Sequence, residues 1–187
     1  SIVMVGKNIL KGVDTIESIT MPYIYGGYIG YLFGAESSSY NSSSVPNSLK
    51  EIKITQETNV LKNAFSNCTN IESLEFVRNL VIIEKNAFYN CKQLNNIVLP
   101  ESLVRIRENA FYDCIYLINV VLPACLETIG EDAFFNCINL QNIIIDENST
   151  NYQTISGSLY TKDGKTLLVA ARNKDVAFRI PASVEYI

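Results

Sequence analysis

The sequence predicts a solenoid of short parallel β-strands stacked in rungs, with a short helical or 3₁₀ turn on the opposite side of each rung. Two columns of residues carry this prediction, because an Ala-Phe pair and a cysteine each recur every 23 residues. The columns are Ala64-Phe65, Ala87-Phe88, Ala110-Phe111 and Ala133-Phe134, and Cys68, Cys91, Cys114 and Cys137. A unit of this length cannot bury its own apolar face, so neighbouring units must cover it.

Each unit contains one clear strand signal. In the stretch 96–99, alternation points Ile97 and Leu99 to the inside and Asn96 and Val98 to the outside, which is typical of a short half-buried strand. The equivalent strands of successive units should therefore stack in parallel. The Ala-Phe-x-x-Cys stretch spaces apolar residues three apart, which favours a single helical or 3₁₀ turn.

The same phase extends to the irregular ends of the chain. Leu10 takes the phenylalanine position of a first unit, and Phe33 takes it in a second unit. Insertions then interrupt the repeat at about 34–46 and 147–178, and an Asp-Gly turn signal between two short apolar runs predicts a β-hairpin in the latter. We expect residues 1–187 to form one solenoid domain that stops within a unit at both ends, so that flanking sequence, caps or a partner would cover its end rungs.

Written as one unit, the pattern A-F-x-x-C-x-x-L-x-x-I-x-L-P-x-x-L-x-x-I resembles the BspA-like leucine-rich repeat family over essentially the whole chain. The resemblance implies an α/β-type leucine-rich-repeat solenoid. It also implies a non-catalytic protein-binding or adhesion module of a cell-surface or secreted protein, with an extracellular or host protein as partner. Because a fold does not determine function, two alternatives stay open: a structural spacer, or a targeting module attached to an enzyme domain absent from this chain.

Composition argues against several other functions. The net charge is −4 and the lysines and arginines are scattered, so we expect no nucleic-acid partner. No apolar run has the length of a membrane span, so we expect no membrane insertion by this segment. The chain has no histidine, no Gly-rich phosphate loop and no G-x-S-x-G motif. We therefore expect neither catalysis nor a cofactor.

The cysteine column predicts buried free thiols. Zinc ligands come in closely spaced pairs, whereas these cysteines are 23 residues apart. In-register stacking also points their side chains in the same direction, which disfavours disulfides between neighbouring rungs. We therefore expect no metal at these thiols. Cys125 lies outside the column and should be exposed.

Two asparagine-rich columns flank the Ala-Phe turn. One column consists of Asn63, Asn86, Asn109 and Asp132, and the other of Asn67, Asn90, Asp113 and Asn136. Asn and Asp tolerate left-handed backbone conformations, and their side chains bond nearby backbone groups. These columns therefore predict tight corners of the solenoid and not a ligand site.

The outward strand positions are the first candidate binding site. One column contains Val98, Val121 and Ile144, and its neighbour contains Asn96, Asn119 and Asn142. An apolar stripe with a polar rim on a solenoid strand face is typical of a protein-binding surface. The alternative is that β-branched residues simply favour strands, or that flanking sequence covers them.

The first insertion is the second candidate. It is rich in serine, and Ser37, Tyr40 and Asn41 have the composition of adaptable binding loops. The alternative is a mobile, solvated linker without a binding role.

Overall fold

A computed structural model describes residues 6–172 and 179–187 and confirms the predicted solenoid of parallel strands with few short helices. Its strands are β1 (Ser18–Met21), β2 (Glu51–Ile54), β3 (Asn59–Val60), β4 (Ser73–Phe76), β5 (Ile82–Ile83), β6 (Asn96–Val98), β7 (Arg105–Ile106), β8 (Asn119–Leu122), β9 (Thr128–Ile129), β10 (Asn142–Ile145), β11 (Tyr152–Ile155), β12 (Ser158–Thr161) and β13 (Leu167–Val169). The 3₁₀ helices are Tyr25–Gly27, Ile29–Phe33 and Ser38–Tyr40, and the one-turn helix α1 is Asn41–Ser44.

Each regular unit contributes one longer and one shorter strand. The longer strands β1, β2, β4 and β6 pair in parallel, and β8 and β10 continue the stack. The shorter strands β3, β5, β7 and β9 form a second parallel sheet. The inward positions that share one register in the first sheet are Ile19, Ile52, Leu74 and Ile97. The period of the sequence is therefore the period of the rungs.

The core is a column of stacked phenylalanine rings. The ring centroids of Phe65, Phe88, Phe111 and Phe134 lie 5.3, 5.0 and 5.1 Å apart in that order. All four rings are buried, together with the alanine before each of them. Since each ring stacks on its equivalent in the neighbouring unit, the core is continuous along the stack.

The first two units keep the predicted phase. The Leu10 N–H donates to the Leu32 carbonyl at 2.8 Å, as the Phe65 N–H donates to the Ala87 carbonyl at 2.8 Å. Leu10 therefore occupies the phenylalanine position, and Leu32 occupies the alanine position before Phe33. The first unit is less covered than later ones, because Val13, at its cysteine position, is 39% exposed.

The asparagine columns form the corners, as predicted. All eight residues of the two columns have φ between 54° and 63°. One detail differs from the expectation, because side chains of the second column bond each other along the stack: Asn90 Nδ2 donates to Asn67 Oδ1 at 2.7 Å. Backbone amides of the corner bond the next unit instead, as the Asn67 N–H does with the Tyr89 carbonyl at 2.8 Å.

The segment that follows β10 forms an antiparallel sheet in the order β11-β12-β13. It covers the end of both parallel sheets. The Ile143 N–H donates to the Gly157 carbonyl at 2.9 Å. The Tyr152 hydroxyl accepts from the Ile129 N–H at 3.1 Å and donates to the Glu127 carbonyl at 3.0 Å. Residues 173–178, the end of the predicted second insertion, lie outside the described residues, as do residues 1–5.

Candidate functional site

The predicted apolar stripe is exposed on the outer face of the longer-strand sheet. Val98, Val121 and Ile144 expose 48%, 55% and 51% of their surface. We call these three residues the strand-face stripe. Exposure of three large apolar side chains in successive rungs is unusual for a surface that contacts only water, where apolar residues are normally scattered.

The pleat of the strands produces the stripe. Val120 and Ile143 point into the core and are buried, so the residues that follow them point outward. Parallel pairing sets Val121 directly against Ile144, because β8 and β10 are in register over their whole length. Neighbouring strands in a sheet lie about 4.8 Å apart, so Val121 and Ile144 stand side by side on the outer face.

A polar rim runs beside the stripe. Asn142 Nδ2 donates to Asn119 Oδ1 at 3.0 Å, and Asn96 Nδ2 donates to Ser73 Oγ at 3.3 Å. Each bond uses one of the two amide hydrogens and leaves further donor and acceptor capacity in an exposed row. The rim therefore offers hydrogen bonds to a partner at the edge of an apolar centre.

Ion pairs end the stripe on its N-terminal side. Lys53 Nζ lies 2.9 Å from Glu75 Oε1, in the two rungs before Val98. Lys50 and Glu72 form a second pair at 3.2 Å. Both pairs are solvent-exposed, where such pairs contribute about 0–1 kcal/mol to stability. Their effect is to bound the apolar surface with charge that is already paired.

Two exposed apolar residues beside the stripe were missed at the sequence level. Tyr116 and Ile118 precede β8 and are 48% and 40% exposed. They form no column, since the corresponding residues of the neighbouring unit, Gln93 and Asn95, are polar. The available signal was this exception itself, because both positions are polar in the units on either side.

The first insertion, for which the sequence left a binding loop and a mobile linker open, packs on the solenoid. It contains the 3₁₀ turn Ser38–Tyr40 and helix α1, and its Asn41 is fully buried. Asn41 Oδ1 accepts from the Gly30 N–H at 3.0 Å, and Nδ2 donates to the carbonyls of Ala64 and Ser66 at 3.2 Å each. This side chain anchors the insertion to the next unit.

The three loop residues proposed from the sequence therefore differ in their accessibility to a partner. Asn41 is not available to a partner, because burial and hydrogen bonds occupy its whole amide. Ser37 is half-buried and Tyr40 is 55% exposed. The insertion packs on the Ala-Phe turn through Ala64, whereas the stripe lies on the strand side. The structure does not bring these loop residues together with the strand-face stripe.

The cysteine column is buried and free of disulfides, as predicted, and Cys125 is exposed. Burial raises the pKa of Cys91 to about 12, and the pKa values of Cys68 and Cys114 lie well above the ordinary value. Each of the three later thiols also donates to the phenylalanine carbonyl of the preceding unit, as Cys91 Sγ does to Phe65 at 3.0 Å. These neutral thiols are part of the core and are unsuited to metal binding or nucleophilic chemistry.

Ligand chemistry of other kinds is not assembled in the part of the chain that the structure describes. Over 6–172 and 179–187, no three potential metal ligands of the His, Cys, Asp or Glu type lie together. Within the same ranges, no helix has the length and apolarity needed to cross a bilayer.

Comparisons with known proteins agree with this architecture. Residues 58–162 match the family described as the BspA type leucine rich repeat region, in six copies. The fold is similar to a leucine-rich repeat protein from Eubacterium ventriosum, with 17% identity, a TM-score of 0.60, and coverage of 90% of this chain and 48% of that one. It is also similar to the pneumococcal vaccine antigen PcpA, with 16% identity, a TM-score of 0.59, and coverage of 94% and 52%.

This chain thus spans about half the length of the solved structures that it matches. No curated protein matches the sequence. At these identities the likeness to the solved structures shows the fold alone.

Proposed function

Because this chain belongs to the BspA-type leucine-rich repeat family, we propose that it is a protein-binding module of a cell-surface or secreted protein, and that its strand-face stripe is the contact surface. The partner is an extracellular or host protein. The whole described chain acts as one solenoid domain that presents this surface. The module itself is not catalytic.

The observation that carries the proposal is the stripe. Three β-branched side chains are about half exposed in adjacent rungs, and the asparagine rim borders them. Protein interfaces have the same arrangement, with an apolar centre that loses its water and a polar rim that keeps some. The exposed Tyr116 and Ile118 extend the apolar area on the central unit, and aromatic residues are enriched at interface centres.

Location at the cell surface is what the resemblance to the BspA-type family implies, and one protein of similar fold is described as a vaccine antigen. A spacer role accounts for the same fold, and for the stripe only through the preference of β-branched residues for strands, which does not require them to be bordered by a polar rim. A targeting role for an attached enzyme would use the same surface, and therefore makes the same prediction for its residues.

The test is a substitution at the centre of the stripe. The chain is used to capture proteins from an extracellular fraction, and a captured protein is purified and titrated against wild type and Val121→Glu. A glutamate at position 121 stays in water in the free protein but is desolvated without a partner on binding. We expect binding to weaken at least tenfold, which corresponds to about 1.4 kcal/mol, with little change in melting temperature.

Leu61→Glu is the matched control, because Leu61 is 49% exposed and follows β3 on the shorter-strand sheet. It introduces the same charge at a similarly exposed apolar residue away from the stripe, and should leave affinity unchanged. The proposal is wrong if Val121→Glu binds normally while Leu61→Glu, or Tyr40→Ala at the exposed tyrosine of the first insertion, abolishes binding. Unfolding of Val121→Glu would show that this face is covered in the native protein.

A further inference from the structure

A cleft of about 660 Å³ lies where strands β1, β2 and β4 end. It belongs to the first three units, whereas the strand-face stripe begins with Val98 of a later unit. Its walls include Tyr23, Gln56, Arg78 and Asn79. The cleft is thus a separate surface with a different composition, and the proposed protein-binding function does not use it.

The register of the strands creates a row of three side chains. Met21, Ile54 and Phe76 end their strands in one register, so the residues two positions later occupy equivalent places. These residues are Tyr23, Gln56 and Arg78. Rungs are about 4.8 Å apart, which sets an aromatic ring, an amide and a guanidinium side by side. The next two units carry Glu101 and Ala124 at this place, so the row exists only at this end of the stack.

The tyrosine is held in place. Its hydroxyl donates to Gln56 Oε1 at 2.9 Å, and its ring meets the Tyr25 ring edge to face at a centroid distance of 6.5 Å. Tyr23 nevertheless exposes 44% of its surface. A fixed, exposed aromatic ring costs little conformational entropy when a ligand packs on it.

The cleft is rich in unused hydrogen-bond donors. With its Oε1 bonded to Tyr23, Gln56 keeps two amide hydrogens, and the Arg78 guanidinium makes no hydrogen bond or ion pair within the described residues. Lys53 is already paired with Glu75 at 2.9 Å. The nearby Glu57 carboxylate accepts from the Ile24 N–H at 2.9 Å. Arg78 is therefore the charge that the cleft leaves open to a ligand.

A ligand that suits this row has a carboxylate for the guanidinium, oxygen acceptors for the amide donors, and an apolar ring face for Tyr23. Arginine binds carboxylates bidentately, which favours a planar acid over a point charge. We propose that the cleft binds a carboxylate-bearing saccharide, with a uronate residue on Arg78 and the adjoining sugar ring on Tyr23. An acidic peptide fits less well, because the lining offers its side chains a single aliphatic residue, Val77.

The test is calorimetric titration and saturation-transfer NMR with three probes: trigalacturonate, the neutral maltotriose and triglutamate. We expect trigalacturonate to bind, maltotriose not to bind, and saturation to pass from the protein to the sugar-ring protons. Arg78→Ala should weaken binding at least tenfold, and so should Tyr23→Ala. Arg107→Ala is the control, because Arg107 is also exposed but lies after β7, outside the cleft.

Absence of trigalacturonate binding at millimolar concentration overturns the proposal. Equal losses in Arg78→Ala and Arg107→Ala show attraction to general positive charge and also overturn it. If triglutamate binds as tightly as trigalacturonate and Tyr23→Ala has no effect, the cleft is an anion site for peptides and the saccharide class is wrong. Both arginines are exposed, so neither substitution threatens the fold.

Discussion

At the residue scale, each regular unit places a buried cysteine at the same position. Cysteine is compact and apolar enough for the core, and its S–H finds a carbonyl in the preceding unit. Burial costs little because the thiol is neutral. The same burial disfavours the thiolate and so raises the pKa of these cysteines.

Because the buried thiols are neutral in the folded protein, the free energy of unfolding should fall at alkaline pH. In the unfolded chain a thiol ionises near pH 9, whereas Cys91 in the folded chain has a pKa of about 12. The contribution of the buried thiol to the free energy of unfolding is therefore fully present below pH 9 and is lost as pH rises toward 12. Between pH 8 and 10, the Cys91 thiol therefore lowers the free energy of unfolding by about 1.4 kcal/mol.

Urea unfolding at both pH values measures this effect. The comparison of wild type with Cys91→Ala isolates one thiol, because the two proteins differ only at position 91. We expect the drop from pH 8 to 10 to be smaller in the variant by about 1.4 kcal/mol, whatever its absolute stability. Equal drops would mean that Cys91 ionises in the folded protein and is not buried.

The Tyr152 side chain supplies hydrogen bonds that a further rung's backbone would otherwise make. At the end of the shorter-strand sheet, its hydroxyl accepts from the Ile129 N–H and donates to the Glu127 carbonyl, two groups of the last regular rung. Removing the hydroxyl leaves both without this partner. We expect Tyr152→Phe to lower the free energy of unfolding by about 1–3 kcal/mol.

Tyr40→Phe is the matched control for denaturant melts, because Tyr40 is 55% exposed and loses only a solvated hydroxyl. It should change stability by less than about 0.5 kcal/mol. Similar losses in both variants would show that the Tyr152 hydroxyl does not close the sheet.

At the element scale, each of the two insertions has one side chain that bonds backbone groups of another unit and so helps to attach the insertion to the solenoid. For the first insertion this is Asn41, whose amide spans the Gly30 N–H and two carbonyls of the following unit. The insertion therefore belongs to the cooperative fold although it interrupts the repeat.

Replacement of this anchor has a defined consequence. Asn41→Ala leaves buried backbone groups unpaired, and we expect a loss of about 2–4 kcal/mol in the free energy of unfolding. Early proteolysis within 35–44 should accompany it. The control is Asn47→Ala at an exposed asparagine nearby, with an expected change under about 0.5 kcal/mol. An unchanged melt for Asn41→Ala would show that the insertion folds independently of its anchor.

The same elements show what sequence can predict here. The rungs, the phenylalanine core and the asparagine corners were predictable, because each repeats a position whose environment is set by its own copies. Asn41 and Tyr152 were not, since their partners are backbone groups of other units, reached only through the path of an unrepeated segment. The Tyr23–Gln56–Arg78 row was hidden in the same way, because the first insertion shifts the spacing between its members.

At the scale of the whole molecule, stacking turns one outward position into an extended surface. A single exposed valine is ordinary, but Val98, Val121 and Ile144 in successive rungs form a contiguous apolar line. The stripe itself was predictable from the alternation of the strands. Its widening by Tyr116 and Ile118 was not, because the residues at these positions in the unit before are polar.

The central claim is that this line contacts a protein partner. Methyl NMR of isotope-labelled isoleucine and valine, with a purified partner added stepwise, tests it most directly because it reads the contact without any substitution. The account predicts that the methyl signals of Val98, Val121 and Ile144 shift or broaden together, whereas those of the exposed Ile9 and Val13 in the first unit stay unchanged. Changes confined to the first unit or to Ile180, with the stripe unaffected at saturation, would contradict the account.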